Sequence, residues 1–361
     1  MVPVDEGVAS GPHTLAVLMR RAHPLVLRQT APWGIRPFLE NPGAKNLKTT
    51  WRVHPLGSST VWESDCAFLE ASVGQFLEWE RSTAEEGNPF AEYDRKTHWA
   101  YADYKHVKEL AEDWSKTLEH IVDWSAFGCD KTAADSTIWL GTEGSHTPLH
   151  YDTYGVNLVA QLHGKKKWLL YPPADTAKLS PTRIPYEESS VFSRVDARAP
   201  DLGRFPKFAE ARPLEVTLEP GDVLFVPNHW WHFVEAMETS LSVNVWLEAP
   251  GDMGDRCAES VARVFMTSLA DGLDAEVGPG WLNPTEEEVW PLAEALSVAQ
   301  LAFQGLSANP EQEQDATDDD GGDAKATAEG GFSVRAMVDA VMAPDVLQLV
   351  VERISQRKRE G

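Results

Sequence analysis

A mainly β fold, built as a double-sheet jelly roll with flanking α-helices and a helical C-terminal region, is what the sequence predicts. Three observations carry that prediction. Between Ile138 and about residue 248 the chain runs in short apolar segments, among them Ile138-Trp139-Leu140 and Val223-Leu224-Phe225-Val226, divided by turn formers such as Glu219-Pro220-Gly221-Asp222. In Gly164-Lys165-Lys166-Lys167-Trp168-Leu169-Leu170 a period of two puts Lys166, Trp168 and Leu170 on one face. On either side of this region the spacing becomes helical, as in Val107, Leu110, Trp114, Leu118, Ile121 and later Val261, Val264, Phe265, Leu269.

With 361 residues, 42% of them hydrophobic, the chain can bury one large core and carry appended helices. The predicted organisation is an N-terminal α+β support of the barrel over 1–123, then a jelly-roll core over 124–250 with an insert at 174–212. C-terminal helices follow over 251–307, an acidic linker over 308–331 and a short amphipathic tail over 332–361. The first helix falls near 15–21 and a strand at 24–28; this plain reading is preferred to the faint transit-peptide composition of 7–39. Trp51-Arg52-Val53-His54 and Cys66-Ala67-Phe68-Leu69 suit strands, and Ser72-Val73-Gly74-Gln75 has the form of a capping box opening a helix. Residues 105–124 are expected to be a helix covering one barrel face.

The insert at 174–212 is dense in Pro, Ser and charge. A loop of that length in a compact domain is either a functional lid or a segment packed over the barrel, and Arg183, Tyr186 and Phe192 are its candidate substrate contacts. Asn283-Pro284 followed by Glu286, Glu287 and Glu288 marks a further helix start, with a kink or break at Pro291. The linker holds eight acids against Lys325 and no aromatic residue, so it cannot bury enough surface to order itself. In the tail, Ser333 caps one helical piece and Pro344 starts a second.

Composition limits the partners. A formal net charge of −24 argues against nucleic acid, which needs clustered Lys and Arg. No run reaches the length of a membrane span, and residues 1–10 lack the pattern of a secretory signal. Three cysteines without paired spacing point to a reducing, cytoplasmic compartment.

The chemistry concentrates between residues 147 and 246. In Thr147-Pro148-Leu149-His150-Tyr151-Asp152, strand geometry turns His150 and Asp152 to the same side. His232 follows a buried strand and its turn, and can supply a third ligand from another strand. Two imidazoles and one carboxylate make the facial triad of non-haem Fe(II) sites, whereas zinc more often takes three imidazoles or thiolates with a water. A His-x-Asp pair alone is a weak signal among 11 histidines. Thr147, Asn157, Lys166 and Asn244, all on strand-like segments, strengthen it. An inward Lys166 must be paired, and the carboxylate of a dicarboxylate co-substrate is a natural counter-ion.

The motifs Thr-x-x-His-x-Asp, Gly-Lys-Lys-Lys-Trp, Tyr-Pro-Pro, Pro-Gly-Asp-Val-Leu-Phe-Val-Pro-x-x-Trp-Trp-His and Ser-Val-Asn-Val-Trp together resemble those of the JmjC 2-oxoglutarate oxygenases, cupin-like in shape. They are most similar to the hydroxylase-type group that includes the asparaginyl hydroxylase of hypoxia-inducible factor. The stretches around Trp99-Ala100-Tyr101, Pro181-Thr182-Arg183 and Trp281-Leu282-Asn283 further resemble JmjC proteins associated with small heat-shock proteins. The resemblance implies Fe(II) on His150, Asp152 and His232, and 2-oxoglutarate held at its far carboxylate by Lys166 with Thr147 and Tyr101. It places Asn157 and Asn244 near the metal and co-substrate, and gives O2 the remaining position. It also implies a protein substrate, a small heat-shock protein as partner and a homodimer through the C-terminal helices. The alternative is a non-catalytic JmjC module that engages and restrains the small heat-shock protein.

Overall fold

The computed structural model describes residues 11–31, 33, 42–57, 62–182, 190–249, 251–270, 291–308, 339–349 and 351–352. Among the described residues there are thirteen strands: β1 Leu25–Leu27, β2 Lys48–Pro55, β3 Ala67–Ser72, β4 His98–His106, β5 Thr137–Gly141, β6 His146–Asp152 and β7 Val156–His163. They continue as β8 Lys166–Tyr171, β9 Ser190–Phe192, β10 Leu214–Leu218, β11 Val223–Val226, β12 Trp231–Ala236 and β13 Ser240–Leu247. They form two antiparallel sheets, an eight-stranded one in the order β1-β11-β7-β13-β5-β4-β2-β3 and a five-stranded one in the order β10-β8-β12-β6-β9.

From β5 onward the chain keeps changing sheets: β5, β7, β11 and β13 lie in the larger sheet, while β6, β8, β9, β10 and β12 lie in the smaller. That alternation is the double-stranded β-helix the sequence predicts. One crossing shows how a residue type permits it. Gly164 joins β7 to β8 with a φ of +61°, and a Cβ there would collide with the Thr239 carbonyl.

The barrel strands β7, β11 and β13 of the larger sheet are buried on both faces, which explains their near-continuous apolar runs. In β7, Leu158, Ala160 and Leu162 pack outward into a core shared with Trp51, Phe76, Trp114 and Trp124, while Val159 packs inward with Trp168, Leu170, Val216 and Leu224 from between the sheets. Trp51 and Phe76 stack at 4.2 Å and are fully buried. Burying such side chains contributes about 1.5–3 kcal/mol each, so this aromatic layer anchors the N-terminal strands to the barrel. The helix Val73–Glu80 starts at the expected capping box: Ser72 accepts from the Gln75 backbone N–H at 3.2 Å, and Gln75 Oε1 accepts from the Ser72 N–H at 2.9 Å.

Two sequence expectations change. Residues 105–124 do not form one helix: β4 runs on to His106, a 3₁₀ turn covers Val107–Glu109, Leu110 is extended, and only Glu112–Leu118 is α-helical. The apolar residues still turn inward, with Val107, Trp114, Leu118 and Val122 all buried, but they do so from successive short turns. The insert, in turn, supplies part of a sheet. β9 pairs with β6, His150 against Phe192, and so covers what would otherwise be an open sheet edge. Phe192 is accordingly buried, whereas Arg183, Tyr186, the Asn283-Pro284 helix start, the 309–331 part of the linker and Ser333 lie outside the described residues.

Helix Asp252–Ala270 packs against Leu292–Ala308 through Val264, Ala295 and Ala299, and Pro291 stands just ahead of the second helix. Among the described residues no helix is long and apolar enough to cross a membrane.

Candidate active site

β6 and β12 lie side by side in the smaller sheet, with His150 opposite His232 and a bulge following between His232 and Val234. β-Bulges re-aim side chains, and they gather beside functional sites. Here the two imidazole rings lie 4.1 Å apart between centroids, and His150 Nε2 is 3.9 Å from Asp152 Oδ1. One potential ligand atom from each of His150, Asp152 and His232 falls within 4.8 Å of the others.

The tautomers suit a metal. His150 Nδ1 donates to the Pro148 carbonyl at 2.8 Å and His232 Nδ1 to the Trp230 carbonyl at 2.9 Å, which leaves both Nε2 atoms as acceptors. Burial, followed by the neighbouring His232, holds His150 well below the ordinary histidine pKa, so its ring is neutral as a ligand must be. Asp152 is fixed as well: Trp246 Nε1 donates to its Oδ2 at 3.1 Å, leaving Oδ1 toward the histidines.

Across the same pocket from this trio lies Lys166, 1% exposed, exactly the inward face that the period of two assigns it. Its ammonium donates to Ser242 Oγ at 2.9 Å, the Trp139 carbonyl at 3.1 Å and Tyr101 Oη at 3.5 Å, all neutral oxygens. Burial lowers its pKa to about 7, with Asp103 working in the opposite sense. Lys165 and Lys167 point out and pair with Glu219 and Glu215. A buried cation with hydrogen bonds but no carboxylate partner among the described residues is the environment an anionic ligand would complete.

The other predicted residues converge here too. Thr147 hydrogen-bonds the Tyr101 hydroxyl, whose pKa burial pushes up. Asn244 Nδ2 donates to Asn157 Oδ1 at 2.8 Å and its own Oδ1 accepts from Trp139 Nε1 at 2.7 Å. Tyr101, Thr147, Asn157, Lys166 and Asn244 line one pocket together with His150, Asp152 and His232. Phe192 stacks on the His150 ring at 5.3 Å.

Sequence reasoning missed Trp139, Ser242, Trp246 and Tyr104, which line the same pocket beside Trp168, the residue that the period of two puts on the Lys166 face. The signal for two of them was present: Ser242, Asn244 and Trp246 alternate on one face of β13. Tyr104 carried none, because it faces the pocket from a bulge in β4 between Ala102 and Lys105, with a φ of +54°.

Two sheets wound as a double-stranded β-helix around a His-x-Asp…His cluster and an inward lysine define a JmjC-type, cupin-like protein. The chain belongs to the cupin-like domain family, whose profile matches residues 67–253. It is 44% identical over 246 residues to HSPB1-associated protein 1 of Rattus norvegicus, covering 68% of this chain and 51% of that protein. With HSPB1-associated protein 1 of Homo sapiens the identity is 41% over 258 residues, 71% of this chain and 53% of the other. A shorter match, 36% over 147 residues, covers 40% of this chain and 31% of Lysine-specific demethylase 8 of Xenopus tropicalis. The chain thus spans about half the length of the HSPB1-associated relatives it matches.

Proposed function

We propose that this chain is an Fe(II)- and 2-oxoglutarate-dependent oxygenase that hydroxylates a side chain of a protein substrate. The observation carrying this reading is the convergence of His150, Asp152 and His232 in one pocket with Lys166. His150, Asp152 and His232 would hold the iron, and Lys166 with Tyr101 and Thr147 would receive the far carboxylate of 2-oxoglutarate. When bound, iron and 2-oxoglutarate supply an oxidation by O2 that places one oxygen atom in a substrate C–H bond and the other in succinate, with release of carbon dioxide. The residues' own contributions are positional. Trp246 fixes the Asp152 carboxylate, the Pro148 and Trp230 carbonyls fix the two imidazoles, and Asn157 with Asn244 holds the adjoining wall. Trp139, Trp168 and Trp246 line the pocket with apolar surface that excludes water.

The test is direct. Purified chain given Fe(II) should convert 2-oxoglutarate to succinate, and His150→Ala should abolish the conversion. Equal turnover by both proteins refutes the reading.

A second reading rests on the names of the relatives, which state association with HSPB1. We infer a small heat-shock protein as a partner of this chain, and a binding module as the alternative to catalysis. Removing 332–361 should weaken capture of that partner; unchanged capture places the contact elsewhere. Cys66, Cys129 and Cys257 are all free thiols, in keeping with a cytoplasmic setting.

A further inference from the structure

Three side chains at the start of helix Asp252–Ala270 reach the loops that flank two of the three metal-ligand candidates. Positions 252, 255 and 256 share one face of a helix. Asp252 Oδ1 accepts from the Gly155 N–H at 2.9 Å, the Arg256 guanidinium lies over the Tyr154 ring at 3.8 Å, and Asp255 Oδ2 accepts from His229 Nε2 at 3.2 Å. Residues 153–155 follow Asp152 directly and lead into β7. Asn228 and His229 form the turn after β11, and the next residue is Trp230, whose carbonyl fixes the His232 ring.

His229 ties these loops to each other as well. Its Nε2 is shared with the Thr153 carbonyl, 2.9 Å away, and its ring meets Tyr151 edge-on at 5.9 Å. One imidazole thus joins the residue after Asp152, the turn before His232 and the C-terminal helix pair. The hydrogen bond to Asp255, working against burial, raises the His229 pKa. His229 also has a φ of +62°, a left-handed conformation uncommon for a residue with a side chain, and the bonds of its ring offset that strain. Neither His229 nor Asp255 lines the triad pocket; both border a separate cleft of about 270 Å³, on the side of β6 where Tyr151 faces.

We propose that His229 and Asp255 are positioning residues of the metal centre: by clamping the Asp152 and His232 loops to helix Asp252–Ala270, they set the spacing of two ligands and so the affinity of the triad for a divalent ion. The assignment rests on reading the triad as a metal site. Groups behind the ligands commonly govern metal affinity by holding the ligand atoms in place. Here the lever is the backbone on which two of those ligands ride.

The test follows Mn(II) binding to the full-length protein by electron paramagnetic resonance, beside thermal unfolding, and so separates positioning from bulk stability. Asp255→Ala and His229→Gly should each weaken Mn(II) binding about tenfold or more, even though glycine accepts the φ at 229 without strain. The double variant should bind no more weakly than the weaker single one, because the two residues act as a unit. Asp255→Asn keeps an oxygen that can accept from His229 Nε2 and should stay within about threefold of wild type. Val264→Ala removes apolar packing between the same helix and Leu292–Ala308, and should lower the unfolding temperature without changing Mn(II) affinity. The proposal is overturned if Asp255→Ala and His229→Gly unfold cooperatively with wild-type Mn(II) affinity, if Asp255→Asn loses as much as Asp255→Ala, or if Val264→Ala loses as much as either. Equal Mn(II) binding by wild type and His232→Ala would sink the metal-site reading and the proposal with it. The expected series in a protein that turns over no 2-oxoglutarate would sink the oxygenase reading alone.

Discussion

His150 and His232 face each other across β6 and β12, and each donates its Nδ1 hydrogen to the backbone carbonyl two residues back, Pro148 in β6 and Trp230 just ahead of β12. The same local arrangement, used twice, turns both Nε2 atoms inward, with Phe192 stacked on the His150 ring and Trp168 on that of His232. Asp152, held by Trp246, completes the set from the end of β6.

His232→Ala should therefore remove a metal ligand and leave the fold standing. Mn(II), followed by electron paramagnetic resonance, should bind more than about 100-fold more weakly, beyond the 10–100-fold cost typical of losing only an outer partner. Thermal unfolding should still be cooperative. Undiminished Mn(II) affinity would show that the ion sits elsewhere.

Lys166→Met should act in opposite directions on binding and stability. A desolvated ammonium with no carboxylate partner burdens the ligand-free protein, so the apolar variant should gain stability, on the order of 1–4 kcal/mol, while 2-oxoglutarate affinity collapses. The sign with pH follows from linkage. The folded pKa of about 7 lies below the ordinary 10.5, so the unfolded chain binds more protons between them. The burden is complete below about pH 7 and is relieved as pH rises toward 10.5. Binding a dicarboxylate reverses this by restoring the charged form. At pH 8, calorimetry in buffers of different ionisation enthalpy should detect proton uptake, and affinity should fall as pH rises above 7. No uptake in wild type, or uptake that survives in Lys166→Met, excludes this lysine as the carboxylate's partner.

Much of this site was legible because strand periodicity is local. A period of two was enough to place His150 with Asp152 and to separate Lys166 from Lys165 and Lys167. The same rule reaches Ser242 and Trp246 from Asn244. Tyr104 could not be found this way, because a bulge breaks the alternation that would have announced it. Long-range pairing was equally silent: nothing in the local pattern of β2–β4 says that they extend the barrel's own larger sheet. Residues 105–124 show the opposite error, a helical period produced by consecutive short turns, Val107 buried from the first and Trp114 and Leu118 from the next.

Ser72→Ala tests a feature read correctly and remote from the chemistry. It removes the side-chain acceptor for the Gln75 N–H and half of the reciprocal cap. Urea unfolding should show a loss of about 1 kcal/mol, with Mn(II) and 2-oxoglutarate binding unchanged. A loss in binding would mean that the helix Val73–Glu80 is coupled to the pocket.

Asp103→Asn tests the buried ion pair behind the pocket. Arg52 on β2 donates Nε to Asp103 Oδ1 at 3.0 Å and a second guanidinium N–H to Oδ2, with both residues buried. Burial opposes the guanidinium's charge, but Asp103, Cys66 and Glu63 together outweigh it and hold Arg52 above its ordinary pKa. The asparagine variant leaves that charge without its anion, which should cost about 3–5 kcal/mol. Arg52→Met combined with Asp103→Leu should cost less than Asp103→Asn alone, since neither charge then remains. The pair also reaches the co-substrate end of the site. Asp103 is what raises the Lys166 pKa against burial, so its loss should lower that pKa further. In the calorimetric experiment the onset of proton uptake on 2-oxoglutarate binding should move to lower pH in Asp103→Asn. An onset that stays in place, together with the expected drop in stability, would confine the pair to a structural role.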